Sequence, residues 1–509
     1  MLVYKEGIIM KKNQIKIFTL AFALLISFNA CKKEVKPSTA IDDESALTNP
    51  GDIETATIGT YAVLRNATYV RSAHFLTEYQ GDNIAQGQPS SDDLSRCYRY
   101  THIPTGTHGS NFWKQAFYVI VAANKIIAAI PDNASVELKQ LKGENLFLKG
   151  MMEFNLVRVF GRPYTQDNGA SAGVPILKEG TNDSAPSRKP VKEVYEAAIA
   201  DLLKAADLMT VSKPDIFASK EVAYALLSRI YLNMGDNANA IKYADLVINS
   251  GRYTLLQGTD YSGYFTKIPE ENKETIFAIR YTKTEDQDFG AIGSMYYSGT
   301  PGSLSTPGPQ GSTGYAEIYA SQQYVAELDK NPTDLRHSFI APYKVNGVLQ
   351  NNTKIAPNVP MYYVTKYNLQ EGIANLSSPV YLRLAEMYLN KAEAYAKQGN
   401  GQLALDNVNL IRTRATIPAL TLTGIAAANK SALDVVLEER RLEFAFEGQR
   451  AYDLFRNNRP MVRNYPGTHA LNNTPTTIIT QTILPTDARV IFYVPQYEID
   501  NNKNLSQNP

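Results

Sequence analysis

Cysteine and tryptophan are nearly absent from this 509-residue chain, which has two cysteines, Cys31 and Cys97, and one indole, Trp113. Two thiols cannot build a disulfide framework or a four-cysteine metal site, so packing must hold the fold together. Histidine is sparse too. His74, His102, His108, His337 and His469 show no HExxH spacing, which argues against a metal enzyme and implies no cofactor. Charge bias is also missing: 51 Lys and Arg face 50 Asp and Glu, a formal net charge of +1. Such a balance points to neither nucleic acid nor an anionic surface as partner. No GxSxG elbow, phosphate-binding glycine loop or dinucleotide fingerprint stands where a strand would lead into a helix. Beyond the N-terminal segment, no apolar run is long enough to cross a membrane.

What is present begins at the N-terminus. Lys11 and Lys12 precede an apolar run from Ile15 to Phe28, and Phe28-Asn29-Ala30 leads into Cys31. A basic start, a short apolar run and a small residue at the cut describe a secretory signal, too short to span a bilayer. A cysteine directly after the cut is the pattern of a bacterial lipoprotein acylated on that thiol. Residues 1–30 therefore read as signal peptide, Cys31 as the lipidation site and 31–50 as a polar tether. The rest, 51–509, reads as a single body held to the membrane by acyl chains, at roughly 0.8 kcal/mol per buried methylene. With Cys31 acylated, Cys97 has no partner for an internal disulfide.

Helical periodicity dominates that body. The pattern predicts helices over 52–66, 111–130, 138–160, 191–209, 218–234, 238–250, 380–398, 401–416 and 431–457. Tyr231, Gly235 and Ala240 recur as Tyr395, Gly399 and Ala404, at the same intervals of four and five. This is tetratricopeptide spacing: the Tyr closes one helix, the Gly permits the turn, and the Ala lets the next helix approach. Two copies cannot bury a solenoid core alone. The pairs 52–66/111–130 and 138–160/191–209 are the candidates to stack beside 218–250 and 380–416. Over 251–379 and 457–509 the pattern breaks into short Tyr- and Ile-containing strands and loops, the strongest loop run being Gly290 to Gly314. The expected fold is mainly α, a tetratricopeptide-like helical-pair scaffold with an irregular loop-rich insertion containing short strands.

Two constellations invite chemistry. Glu439, Glu443 and Glu447 fall one turn apart on the predicted 431–457 helix, and paired carboxylates serve glycoside hydrolysis. Arg440, Arg441, Arg450 and Arg456 interleave with them and favour the ionised form, the wrong direction for a general acid. A structural ion-pair network is the better reading. The second constellation is aromatic. Trp113 keeps helical spacing with Phe117 and Ile120 and reads as core. In RCYRYTH, Tyr98, Tyr100 and His102 alternate, so an extended backbone would point all three one way and offer a stacking platform for sugars. Asp82 and Asn83, in the upstream GDN loop, would bond ligand hydroxyls, and Tyr296 and Tyr297 would complete the platform. The same alternation suits one face of a half-buried strand, and the residues leave both readings open.

Several long blocks resemble the SusD/RagB family over nearly the whole mature chain. They are RKPVKEVYEAAIADLLKAADLM (Arg188 to Met209), SKEVAYALLSRIYLNMGD (Ser219 to Asp236) and LRLAEMYLNKAEAYA (Leu382 to Ala396). NLIRTRA (Asn409 to Ala415), EERRLEFAFEGQRAYDLFR (Glu438 to Arg456) and the tail VPQYEIDNNKNLSQNP complete the set. The resemblance implies a lipoprotein on the outer face of the outer membrane that binds nutrient oligomers, usually oligosaccharides. It further implies four tetratricopeptide-like pairs, no catalysis, and a SusC-like TonB-dependent transporter as partner. Some relatives capture peptides, and the scarcity of tryptophan keeps a peptide ligand open. A lipid-anchored glycoside hydrolase and a scaffold that binds only protein are the competing classes. The family's ligand residues lie in variable loops, so the candidates above rest on loop placement and aromatic chemistry.

Replacing Cys31 with Ala is expected to release the protein from the membrane fraction. A folded variant that stays in the detergent phase would refute the anchor.

Overall fold

Asn49 opens the helical part. Its side chain accepts from the Asp52 amide and Pro50 takes the first helical position, where its missing N–H costs nothing. The structure is a computed structural model that describes Leu47 and residues 49–87, 92–178, 185–285, 287–297, 314–345, 347–352, 356–470 and 478–509. The expected signal peptide, the expected lipidation site Cys31 and nearly all of the expected tether lie outside the described residues. Residues 49–509 form one compact unit.

The helices used below are α1 (Pro50–Leu64), α2 (Ala67–Glu78), α3 (Asp93–Arg99), α4 (Thr107–Ala129), α5 (Val136–Phe160) and α6 (Val191–Leu208). Then follow α7 (Lys220–Met234), α8 (Asn237–Ile248), α9 (Leu384–Lys397), α10 (Gly401–Arg414), α11 (Ala432–Glu443) and α12 (Arg450–Arg456). From α4 to α10 each helix packs on the next, while α1 and α2 both cover α4 and α11 closes the far end. Side-chain caps from Ser135, Ser219, Asp236 and Ser431 set where α5, α7, α8 and α11 begin.

The repeated spacing gives the turns it predicts. Gly235 and Gly399 take the left-handed conformation at φ 80° and 79°, which a Cβ would oppose. Ala240 and Ala404 are fully buried where the second helix of each pair meets the first. Arg229 on α7 reaches Glu386 on α9 through two bonds of 2.6 Å and fastens the two pairs together. Trp113 is buried against Phe117 and Phe160, with ring centroids 4.9 and 5.0 Å away, as its spacing predicts for a core residue.

The loop-rich part carries short strands, among them β1 (Ile84–Gln86), β2 (Thr275–Ala278), β3 (Ile318–Ala320), β4 (Ile340–Pro342) and β5 (Tyr362–Val364). Later come β6 (Val380–Arg383), β7 (Met461–Arg463) and β8 (Gln481–Ile483). All pairing is antiparallel: β1 with β3, β2 with β6, β4 with β5, and β7 with β8. Residues 380–383 are thus a strand and not the first turn of the predicted 380–398 helix, because Val380 to Arg383 pair with β2. The predicted 431–457 helix is broken into α11 and α12. The buried carboxylate of Glu78 accepts from the amides of Phe446 and Gly448 at 3.1 and 2.7 Å, which takes both out of helical bonding.

Glu153, on α5, is fully buried, and neither of its carboxyl oxygens has a hydrogen-bond partner among the described residues. Lys149 reaches Asp201 on α6 at 3.1 Å. Burial, and then the charge of Asp201, pushes Glu153 up to about 8, with Lys149 opposing. An acid whose folded pKa is raised loses stability as pH climbs from its unfolded value, about 4.3, toward the folded one. Glu153→Gln is therefore expected to raise the melting temperature relative to the parent, by an increment that grows between pH 5 and pH 8. An increment independent of pH would refute this.

Candidate functional site

Glu443, the last residue of α11, is fully buried. Its Oε1 accepts from Arg383 and Arg414, and its Oε2 accepts from the Tyr261 hydroxyl at 2.9 Å. Arg336 bonds Glu439 at 2.6 Å and Asp334 at 2.7 Å. Glu447 takes 2.8 and 2.9 Å bonds from Arg383 and a 2.6 Å bond from Lys366. Burial alone would raise the pKa of Glu443, but the guanidinium groups of Arg414, Arg383 and Arg336 override it and hold the carboxyl well below the usual range. Arg383 and Lys366 likewise outweigh burial at Glu447 and lower it. Neither carboxylate keeps a proton near neutrality, so neither can serve as a general acid. Among the described residues no group of three His, Cys, Asp or Glu is placed to hold a metal.

The sequence-predicted ligand residues do not form an exposed platform. Asp92 accepts from the Ser95 amide and starts α3, so RCYRYTH is helix and turn where an extended backbone was expected. Tyr98 is fully buried in α3 beneath the Arg463 guanidinium, 4.1 Å from its ring. Tyr100 ends the helix at φ 60° and donates its hydroxyl to the Gln80 carbonyl at 2.6 Å. His102 is half-buried, bonds the Ile491 carbonyl at 3.0 Å and lies on Phe492. Asp82 is buried and accepts from Arg450 at 2.7 Å, and Asn83 accepts from Arg441 at 2.9 Å. Tyr296 is buried with its hydroxyl 2.6 Å from His74 Nε2. Apart from half-buried His102, these side chains are buried, which leaves no open tyrosine face there for a sugar.

Tyr297 leads elsewhere. Its buried ring meets Tyr363 on β5 edge-on at 5.2 Å. Tyr343 joins Tyr363 at 5.1 Å, and Tyr319 on β3 lies 6.5 Å from it. Tyr319 and Tyr343 are half-buried, whereas exposed Tyr315 packs edge-on against Phe289 at 5.4 Å. Ile318 and Ala320 point inward, so Tyr319 and Glu317 share the outward face of that strand. Burial, and then the charge of Asp92, raises the Glu317 carboxyl. Gly87, whose amide bonds the Glu317 carbonyl at 2.8 Å, has no room for a side chain: a Cβ would stand 2.5 Å from the Tyr319 ring. The ring therefore packs directly against the backbone at Gly87. Tyr319, Tyr343 and Tyr363 went unnoticed in sequence because they come from three segments that only the packing of two separate strand pairs brings together. The sole signal was the run of Tyr-containing short strands.

Stacked helix pairs carrying short paired strands and a loop-borne tyrosine surface define a repeat-scaffold protein. The chain belongs to the SusD/RagB family: residues 340–509 match the SusD family, and residues 34–232 match the family described as starch-binding associating with outer membrane. It is 26% identical over 490 residues to SusD-like protein P38 of Formosa agariphila, covering 88% of this chain and 92% of that one. Starch-binding protein SusD of Bacteroides thetaiotaomicron is 22% identical, with 86% of this chain and 85% of that one covered. The crystal structure of a SusD superfamily protein from Bacteroides thetaiotaomicron superposes with a TM-score of 0.77 at 28% identity, over 90% of this chain and 99% of that one.

Glu443→Ala would strand buried guanidinium groups, which costs about 3–5 kcal/mol. The expected result is a sharply lower melting temperature or failed expression. A stable variant that has lost a measurable hydrolytic activity would reverse the structural reading.

Proposed function

We propose that this protein captures oligosaccharides at the tyrosine surface of Tyr319 and Tyr343 and does no chemistry on them. The observation that carries the reading is the half-buried pair Tyr319 and Tyr343, seated on buried Tyr297 and Tyr363. Aromatic faces pack on the C–H faces of sugar rings, and Glu317 beside Tyr319 can accept from hydroxyls. The starch-binding relative and the family description support a glycan over a peptide. In this reading Cys31 carries the lipid anchor, the body stands on the outer face of the outer membrane, and a TonB-dependent transporter receives the ligand. The charge cluster at Glu443, with no carboxyl poised to donate a proton, supports binding over hydrolysis.

Tyr319→Ala is expected to weaken oligosaccharide binding while leaving the protein folded, since the ring is only half-buried. Loss of one stacking contact, roughly 0.5–1.5 kcal/mol, corresponds to a several-fold to tenfold fall in affinity. Titration calorimetry with a ligand the parent binds checks it. Unchanged affinity in the folded variant would remove this surface from the site.

A further inference from the structure

An open groove of about 800 Å³ lies between α1, the α1–α2 turn, α4 and the segment after β2. Its size falls in the range of ligand clefts. Tyr118 on α4 forms one wall and is 62% exposed, although Trp113, Ala116, Val119 and Ile120 of the same helix are buried. Lys114, Gln115 and Tyr118 share a face at helical spacing, so an ammonium, an amide and an aromatic ring look into one trough. The opposite wall is held in place. Arg65 is ion-paired with Glu285, and the Tyr281 hydroxyl donates to the Arg65 carbonyl at 2.6 Å. Placed walls of this kind reduce the ordering cost of binding.

Gly59 supplies a second, independent observation. It sits inside α1 with ordinary helical φ, where glycine costs about 0.5–1 kcal/mol relative to alanine. A Cβ there would meet nothing within 4 Å, so neither backbone conformation nor packing calls for glycine. What its missing side chain does is leave the groove open.

We propose that this groove is a second saccharide-binding site, with Tyr118 as the stacking face and Lys114, Gln115 and Arg65 bonding ring hydroxyls. The proposal rests on the oligosaccharide reading above but concerns a different surface, so the two can fail separately. Gly59→Leu projects a side chain into the groove from a Cβ that meets nothing within 4 Å, and leucine favours the helix; Tyr118→Ala removes the stacking face. Each variant, with Tyr319→Ala and the Tyr319→Ala/Gly59→Leu double variant, is titrated by calorimetry against soluble heptasaccharides of α- and β-linked glucose.

The expected pattern is two sites in the parent and one residual site in Tyr319→Ala. That residual site is lost in the double variant, and Gly59→Leu and Tyr118→Ala each lose one site or weaken it at least fivefold. Parent-like stoichiometry and affinity in Gly59→Leu and Tyr118→Ala, beside weakened Tyr319→Ala, would overturn the groove and leave the tyrosine surface standing. Weakening in Gly59→Leu with no effect in Tyr319→Ala would keep the groove and remove the tyrosine surface. A parent that binds no member of the panel would overturn both.

Discussion

The structure depends on the buried ion network around Glu443. Arg383 comes from β6, Arg414 from the end of α10, and Arg336 from the segment before β4. Glu274, just before β2, bonds Arg414 at 2.7 and 2.8 Å, and Lys366, just after β5, bonds Glu447. One carboxylate cluster thus ties the far end of the helical array to several strands of the loop-rich part. Taking these charges out of water is costly, and the cost is offset only when every partner is present. An arrangement in which one segment strays leaves a bare buried charge. The network therefore fixes where the loops sit more than it adds net stability. A surface made from β1, β3 and β5 needs that fixity, since its tyrosines meet only if the strands hold their places.

How much of this was legible in sequence follows from how local each cause is. The helix pairs were readable because Tyr231, Gly235 and Ala240 act within one turn of each other, as do Tyr395, Gly399 and Ala404. The break after Glu443 was not, because it depends on Glu78, 368 positions from Phe446. Residues 380–383 read as helix because nothing local announces their pairing with β2. The charge cluster was readable as structural from the interleaved arginines alone, although its partners Glu274, Arg336 and Arg383 were not.

The site was the least legible part, for a physical reason. Alternation of Tyr98, Tyr100 and His102 fits an extended strand, but a single capping aspartate, Asp92, turned the segment into helix and buried two of the rings. Period alone cannot weigh a cap against a strand over so short a stretch. Tyr319, Tyr343 and Tyr363 share no period at all, being gathered where one strand pair packs against another.

The abundance of tyrosine, 32 residues against 18 phenylalanines, invites a reading as sugar-binding composition. Part of it answers to backbone instead. Tyr100, Tyr281, Tyr367 and Tyr465 each donate a hydroxyl to a main-chain carbonyl, of Gln80, Arg65, Phe446 and Ile84, at 2.5–2.7 Å. Those carbonyls lie at helix ends, in turns or on short strands, where regular ladders leave acceptors unfilled. Phenylalanine would fill the same volume but orphan the carbonyl, at about 1–3 kcal/mol each. A fold with a long irregular part therefore gathers tyrosine for its own satisfaction. Only rings free of that duty and reaching solvent bear on the proposed binding, which reduces a composition of 32 to a few positions, among them exposed Tyr118 and half-buried Tyr319.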